Sequence, residues 1–206
     1  TNPLTMDGIA FVISGPAGVG KTTICDRLII NYPDCLSRVV TVTTRKPRVG
    51  EIDGRDYHFV TKDKFEDLIQ NQEFIEFAEI HNNFYGSTLK SVQELFNKGR
   101  DVLLNIDVQG AFSLRNTQEK YEFLKKKIQS VFIAPANLND LRLRLEKRGQ
   151  DSKEEIENRL ATAANEIRYS NQFDFIINSK TKDCDYEKIA KIYREQSNLI
   201  KEKSVK

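Results

Sequence analysis

A phosphate-binding loop sits close to the start of this chain. Residues 15–22 read Gly-Pro-Ala-Gly-Val-Gly-Lys-Thr, a complete G-x-x-x-x-G-K-[ST] motif. An apolar run at 9–14 precedes it and predicts a buried parallel strand, and residues 22–30 follow it as a predicted helix. Such a loop brings backbone N–H groups and a helix N-terminus to a polyphosphate. We therefore expect a nucleoside triphosphate on Gly15, Pro16, Ala17, Gly18, Val19, Gly20, Lys21, Thr22 and Thr23.

Within this loop, Lys21 is expected to reach the β- and γ-phosphates and Thr22 to ligate Mg²⁺. A second signal comes from residues 101–107, where an apolar run ends at Asp107. This is the form of a strand that delivers a carboxylate towards Mg²⁺. The predicted metal ligands are therefore Thr22 and Asp107.

Length, charge and cysteine content narrow the class of protein. The chain has 206 residues, which predicts one compact unit with inserted subdomains. Its 32 basic and 30 acidic side chains leave a formal charge of +2, so no basic excess indicates nucleic-acid binding. We find no apolar run of membrane-spanning length and no signal-peptide pattern. Three cysteines without metal-ligand spacing suit a reducing cytoplasm.

The order of predicted elements indicates an α/β fold with a parallel sheet core and helices on both faces. Further strands are predicted at 38–44, 57–60, 73–79, 101–107, 130–134 and 173–178. Further helices are predicted at 62–70, 87–98, 138–148, from a Ser152/Glu155 capping box onwards, and 186–200. Residues 1–5 are expected to form a flexible end, and the lysines at 125–127 and 201–206 to be solvated surface. The core is placed at about 8–37, 88–136 and 170–206, with a mixed α/β insertion at about 38–87 and an arginine-bearing helical segment at about 137–169.

Five arginines occupy the insertion and the helical segment that follows the core strand at 130–134. Phosphoryl transfer between two nucleotides needs cations for the donor triphosphate and for the acceptor phosphate, with water kept out. A solvated surface position is the plain alternative for any single arginine. Together, beside an intact phosphate loop, the five favour transfer: Arg45, Arg48, Arg144, Arg148 and Arg159.

Several motifs in order along the chain resemble those of the guanylate kinase family. They are Val-Thr-Thr-Arg-Lys-Pro-Arg-Val-Gly-Glu (42–51), Gly-Arg-Asp-Tyr-His-Phe-Val (54–60), Glu-Phe-Ile-Glu-Phe-Ala (73–78), Tyr-Gly-Ser-Thr (85–88), Ile-Asp-Val-Gln-Gly (106–110) and Arg-Leu-Glu-Lys-Arg-Gly (144–149). The resemblance implies ATP- and Mg²⁺-dependent phosphorylation of GMP, and of dGMP, in purine nucleotide metabolism. It implies that the insertion at about 38–87 binds GMP and that the helical segment at about 137–169 forms a short lid. It also implies that the protein acts as a monomer or homodimer, with ATP and GMP as its partners and neither nucleic acid nor membrane among them.

The same resemblance assigns site residues. Lys21, Arg48, Arg148 and Arg159 are expected to be catalytic, and Arg144, Arg148 and Asn178 to join the phosphate loop in binding ATP. The GMP site is expected to comprise Thr41, Arg45, Arg48, Tyr57, Glu76, Tyr85, Gly86, Ser87, Thr88 and Asp107.

The guanine assignment has a physical basis. Guanine presents N1–H and N2–H₂ as adjacent donors, which a carboxylate at Glu76 accepts, and O6 as an acceptor for a hydroxyl at Ser87 or Thr41. Adenine would instead turn a lone pair towards Glu76 and leave the carboxylate unpaired. Sites built around particular hydrogen bonds reject mismatched analogues strongly.

Three residues depart from the family pattern, and two alternatives stay open. Ala17 and Thr41 each stand where serine is common, and Asn105 stands where an acid commonly precedes Ile-Asp, which removes one negative charge near the metal. One alternative is a non-catalytic guanylate-kinase-like protein-binding domain, although such domains usually lose the loop lysine and lid arginines. The other is a nucleotide switch or a kinase for a different nucleoside monophosphate.

Overall fold

A computed structural model describes residues 8–204, so the flexible end predicted for residues 1–5 and part of the lysine-rich tail lie outside it. Within this range the chain forms nine strands: Ala10–Ser14 (β1), Leu36–Arg38 (β2), Val42–Thr43 (β3), His58–Phe59 (β4), Phe74–Ile80 (β5), Asn83–Thr88 (β6), Asp101–Asn105 (β7), Ile128–Ala134 (β8) and Phe175–Asn178 (β9). The α-helices are Lys21–Asn31 (α1), Lys62–Gln70 (α2), Leu89–Asn97 (α3), Val108–Thr117 (α4), Leu138–Arg148 (α5), Lys153–Ile167 (α6) and Lys182–Ser204 (α7).

Five parallel strands form the core sheet, in the order β2-β7-β1-β8-β9. Because successive side chains of a strand point to opposite faces, β1 supplies both layers of the core. Ala10 and Val12 join the cluster beneath α3 and α4, whereas Phe11 and Ile13 join the cluster beneath α1 and α7. The predicted parallel α/β core with helices on both faces is confirmed.

A second sheet of four short strands lies in the insertion, in the order β4-β3-β6-β5. The β5–β6 hairpin turns at His81 and Asn82, both with positive φ, as a two-residue turn that matches strand twist requires. Phe65 of α2 stacks on Phe74 and Phe84, which gives this sheet a small apolar core of its own.

The single strand predicted over residues 38–44 is wrong. The segment divides between the two sheets, because Val39 N–H still pairs with Leu103 of the core while the Thr41 carbonyl already pairs with His58 of the insertion. Strand β6 and helix α4 were not predicted, since Gly86 and Gly110 interrupt the patterns that identify a strand or a helix.

The lid consists of α5 and α6, which pack through Leu141, Leu145, Ile156, Leu160 and Ala163. Gly149 ends α5 with φ +63°, and the Ser152/Glu155 capping box opens α6, both as predicted. Leu138 and Leu199 continue the apolar faces of α5 and α7, but their positions at the ends of these faces leave them 38% and 45% exposed. Every helix among the described residues is too short or too polar to cross a lipid bilayer.

Candidate active site

A cavity of about 1030 Å³ opens at the carboxyl ends of the core strands, bordered by the insertion and the lid. Ligands of open parallel sheets bind at this edge. Most of the predicted site residues line it: Gly15, Ala17, Gly18, Val19, Gly20, Lys21, Thr22, Thr23, Thr41, Arg45, Arg48, Tyr57, Glu76, Tyr85, Asp107, Arg144, Arg148 and Arg159. Residues from three separate parts of the chain therefore face one space.

The phosphate loop has the backbone of an anion cradle. Gly15, Gly18 and Gly20 have φ values of +136°, +85° and +109°, a region that side-chain-bearing residues rarely adopt. A Cβ on Gly15 would lie 2.5 Å from the Ile133 carbonyl oxygen, so the loop also packs too closely for any larger residue. Helix α1 begins at Lys21 with no side-chain hydrogen bond at its N-cap. Its first N–H groups are thus available to an anion.

The Lys21 ammonium group turns back onto this loop, where it donates to the carbonyl oxygens of Gly15 and, at 3.0 Å, Pro16. Burial lowers the pKa of Lys21, and the carboxylates of Glu166 and Asp107 partly oppose that shift. An incoming phosphate would supply the buried cation with a fully charged partner.

Glu76 is buried on the opposite wall, 3% exposed, where a β-bulge directs it inwards. Strand β5 pairs Phe74 with Thr88 and then Glu76 with Ser87, so Ile75 is the extra residue. The Oε1 atom of Glu76 and the Ser87 hydroxyl are buried and make no hydrogen bond among the described residues. Buried polar atoms without partners are rare, and at the wall of a cavity a bound ligand or water is the natural partner for them.

Burial raises the pKa of Glu76 to about 8, with Asp107 adding to the shift and Ser87 opposing it. Glu76 and Asp107 both pack against Gly110. A Cβ at position 110 would lie only 2.6 Å from Glu76 Oε2 and 3.1 Å from Asp107 Oδ1. Glycine at position 110 is therefore a condition of this arrangement.

Asp107 caps α4 by accepting from the Gly110 N–H at 2.9 Å, and burial raises its pKa. Across the cleft floor, Asn105 Nδ2 lies 3.5 Å from Thr22 Oγ1 and donates to it. The described residues contain no group of three or more His, Cys, Asp or Glu side chains able to hold a metal ion alone. The donor set fits Mg²⁺ only if nucleotide phosphates and water complete it, which is the usual habit of this ion.

Four arginines converge between the two walls. The pKa of Arg48 is lowered by burial first, and then by the positive charges of Arg148, Arg45 and Arg159, with Glu51 opposing. Arg48 and Arg45 come from the insertion, whereas Arg148 and Arg159 come from the lid. Glu51 and Asp151 each pair with one of these arginines, Arg45 and Arg159, so two acids face four cations and the remaining positive charge suits a phosphoryl group.

Glu51 holds the insertion arginines in place and was not predicted. It accepts two hydrogen bonds from Arg45 Nη2, at 2.9 and 3.0 Å, and one from the Arg48 N–H at 2.7 Å. Pro47 and Gly50 predict a loop that could bring Glu51 near Arg45. They do not predict that both Glu51 carboxylate oxygens accept from Arg45.

Glu166 of α6 is a second residue missed from the sequence. It follows Arg159 and Thr162 on one stripe of the helix, and all three line the cavity. Burial raises the pKa of Glu166 to about 7, with Lys21 opposing and Asp107 adding to the shift. Its spacing from Arg159 was the one available signal.

Five predicted residues do not line the cavity: Pro16, Gly86, Ser87, Thr88 and Asn178. Ser87 lies directly behind it, paired across the strands with Glu76. Thr88 caps α3, accepting from the Ser91 N–H at 3.2 Å. Asn178 is exposed at the end of β9, and the neighbouring Lys180 and Thr181 line the cavity instead. The roles predicted for these five remain predictions.

The lid rests on the phosphate loop. Arg144 donates to the Val19 carbonyl oxygen at 3.2 Å, and a Cβ on Gly18 would lie 3.0 Å from Leu145. A larger residue at position 18 would therefore push against α5 as well as strain the loop.

The chain is similar to known guanylate kinases over most of its length. The sequence model described as guanylate kinase matches residues 8–196. The guanylate kinase of Wolbachia pipientis wMel is 42% identical over 198 residues, or 96% of this chain and 95% of the relative. That of Nitratidesulfovibrio vulgaris is 43% identical over 190 residues, or 92% and 88%. A crystal structure of guanylate kinase from Anaplasma phagocytophilum matches with a TM-score of 0.72 at 32% identity, covering 92% of this chain and 86% of that one.

Proposed function

This chain belongs to the guanylate kinase family, and we propose that it transfers the γ-phosphoryl group of ATP to GMP, forming ADP and GDP. One observation carries the proposal: a single cavity joins a phosphate loop to a buried carboxyl group with one unpartnered oxygen, and four arginines lie between them. The geometry thus suits two nucleotides bound with their phosphates facing each other.

On the donor side, we assign the triphosphate to the loop and the first turn of α1. Lys21 would exchange its loop carbonyl partners for phosphate oxygens, which are stronger acceptors for a cation. Thr22 would hold Mg²⁺ together with phosphates and water, and the ion would neutralise phosphate charge. Asp107 would contribute through water, since its Oδ1 already caps α4.

On the acceptor side, we assign the guanine edge to Glu76. Its unpartnered Oε1 supports this role, because a buried acceptor can be satisfied by the N1–H and N2–H₂ donors of guanine. The Ser87 hydroxyl, also unpartnered, lies beside Glu76 across the strands and is available to O6. Arg45, Arg48, Tyr57 and Tyr85 line the space where the GMP phosphate would lie.

Transfer requires that charge spread over the moving phosphoryl group be stabilised from several sides. Arg48 would act from the insertion, and Arg148 and Arg159 from the lid. Lid closure would bring the latter two nearer and exclude water, which suppresses hydrolysis of ATP.

The intact loop and the arginine cluster argue against a purely protein-binding role, since such a role needs neither. In its ionised form Glu76 argues against a kinase for AMP, because guanine offers the carboxylate two adjacent donors whereas adenine N1 would turn a lone pair towards it. We also propose that the protein works in the cytoplasm, as a monomer or homodimer, where its free cysteines Cys25, Cys35 and Cys184 stay reduced.

A coupled assay of ADP release tests the assignment, using one enzyme preparation with ATP and Mg²⁺ and with GMP, dGMP, AMP, CMP or UMP as acceptor. We expect GMP to be the best acceptor, dGMP to be used, and AMP, CMP and UMP to be poor. Equal rates with all five, or ADP release without any acceptor, would contradict the proposed function.

A further inference from the structure

Asp151 is a buried acid just before the N-terminus of the lid helix α6, and it is not among the predicted site residues. Its side chain is 4% exposed and forms an ion pair with Arg159, Oδ1 to Nη2 at 3.1 Å. Arg159 in turn is 18% exposed and lines the cavity. A charged pair so far removed from water costs free energy to desolvate, and a pair of this kind is weak evidence for stability.

Both partners have polar atoms left over. Asp151 Oδ2 and Arg159 Nε are buried and make no hydrogen bond among the described residues. The guanidinium group therefore keeps a donor free after pairing with Asp151. A buried ion pair that leaves hydrogen-bonding atoms unused contributes little to stability. The pair is better explained if it fixes the position of Arg159 and leaves one N–H free for a ligand.

The backbone around Asp151 is fixed. Asp151 directly precedes Ser152, whose capping box with Glu155 determines where α6 begins. The Arg159 side chain reaches back towards this end of the helix, as long helical side chains do. Burial and then the positive charge of Arg159 lower the pKa of His81, at the turn of the β5–β6 hairpin, while Asp151 and Glu155 oppose the shift. The Asp151–Arg159 pair therefore faces the insertion as well as the lid.

The same two lid helices offer a comparison. Arg142 of α5 and Glu157 of α6 also form an ion pair, but their side chains are 38% and 59% exposed and neither lines the cavity. The two ion pairs of the lid therefore differ in burial and in whether their arginine lines the cavity. Only the pair that includes Asp151 faces the phosphates' proposed location.

We propose that Asp151 is a positioning residue, which orients the Arg159 guanidinium group over the cavity so that it contacts the transferred phosphoryl group. The proposal rests on the proposed function, in which Arg159 contacts that group. Asp151 itself would touch neither nucleotide. Its contribution would be to limit the orientations of Arg159 before transfer, since misplacing a catalytic group by about 1 Å can cost on the order of 100-fold in rate.

The test compares kcat and the GMP KM of wild type, Asp151→Asn, Asp151→Glu, Arg159→Ala and Asp151→Asn/Arg159→Ala, with thermal unfolding of each. We expect Asp151→Asn to fold and to lower kcat about 10- to 100-fold, with little change in KM. Asp151→Glu, which keeps the charge, should recover much of that loss. The double variant should match Arg159→Ala alone, because Asp151 acts only through Arg159. Glu157→Gln is the matched control and should retain wild-type kcat.

Three outcomes would overturn the proposal: wild-type kcat in Asp151→Asn, a double variant whose loss is the product of the two single losses, or unfolding of Asp151→Asn at the assay temperature. The last would show that Asp151 serves stability. Failure of the proposed function looks different, because wild type would then not phosphorylate GMP or Arg159→Ala would keep its kcat.

Discussion

Three single residues of the cavity carry most of its proposed chemistry: a loop cation, a buried acid and an amide. Lys21 is held by loop carbonyls, Glu76 has an unpartnered oxygen, and Asn105 contacts the hydroxyl assigned to Mg²⁺. Each can be changed to a residue of similar or smaller size. Their roles are therefore open to direct measurement.

Lys21→Ala should lower kcat by roughly two to four orders of magnitude, because it removes a cation from the developing charge on the transferred group. Folding should survive, since the hydrogen bonds that the Lys21 ammonium group donates go to carbonyls of the phosphate loop itself. Single-turnover rates and thermal unfolding check the two parts. Near-wild-type turnover in a folded variant would mean that this loop is not the catalytic phosphate site.

Glu76 should couple GMP binding to pH. With a pKa near 8 when no nucleotide is bound, Glu76 carries a proton at neutral pH, whereas the guanine donors require the carboxylate. GMP binding must therefore release that proton, and affinity should rise as pH increases from 6 to 8, by up to about tenfold per unit. Calorimetric titrations in buffers of different ionisation enthalpy measure the proton released.

Glu76→Gln is the matched variant for this prediction and for base selection. It should leave only the pH dependence that comes from the GMP phosphate itself. It should also cost on the order of 2–4 kcal/mol in kcat/KM for GMP, with a much smaller effect on AMP. An equal loss for GMP and AMP, or an unchanged pH profile, would remove Glu76 from the base site.

Asn105→Asp should lower the Mg²⁺ concentration that gives half-maximal rate, or leave it unchanged. The new carboxylate would lie beside Thr22 Oγ1 and restore negative charge near the ion, which favours oxygen ligands and retained water. Asn198→Asp, on the exposed surface of α7, adds the same charge elsewhere as a control. A large rise in the Mg²⁺ requirement would show that the amide of Asn105 has a task of its own.

At the scale of elements, the insertion and the lid supply their arginines differently. Arg48 is tied to the insertion, because its N–H donates to Glu51, which also holds Arg45. Arg148 is exposed on the last turn of α5 and lies near Arg48. An arginine fixed beside the acceptor can serve binding and transfer, whereas one brought by the lid serves transfer after closure.

Arg148→Ala should consequently lower kcat more than it raises the GMP KM, while Arg48→Ala should change both. Steady-state kinetics with GMP varied at saturating ATP separate the two parameters. Arg142→Ala, on the solvent side of α5, serves as the control for loss of a lid arginine. Pure KM effects in Arg148→Ala would contradict a role in transfer.

At the scale of the whole molecule, a buried carboxylate joins the first and last parts of the fold. Asp101, 1% exposed, accepts from the Ile9 N–H at 3.0 Å and from the hydroxyls of Tyr193 and Ser197, each at 2.7 Å. One donor from the residue before β1 and two donors from α7 therefore meet at Asp101, the first residue of β7. These contacts hold the C-terminal half of α7 against the central strands, at the opposite end of β7 from Asn105, which lines the cavity.

Asp101→Ala should lower the free energy of unfolding by about 3–5 kcal/mol, since it leaves three buried donors without their charged acceptor. Tyr193→Phe, which removes one donor, should cost about 1–2 kcal/mol. Urea unfolding measures both, and kcat of the folded fraction should stay at the wild-type value. A variant as stable as wild type would mean that water replaces these contacts.

Local sequence signals were sufficient for much of this protein. Residues close together in the chain were enough to predict the phosphate loop, the ends of α5 and α6, the parallel core and the family. Loop conformation, helix capping and hydrophobic periodicity depend on neighbouring residues, so short segments carry these signals. The family resemblance also predicted that Glu76, Asp107 and the five arginines belong to one active site, and all of them line the cavity.

Tertiary structure alone decided the rest. The division of residues 38–44 between two sheets depends on contacts across space, as do the partners Glu51, Asp151 and Glu166. The raised pKa of Glu76 depends on its burial. Burial sets the cost of a charge, and ion pairing depends on distances that no local pattern records. A sequence shows which acids exist, but only the packed fold determines which cation each acid holds and which acid keeps its proton.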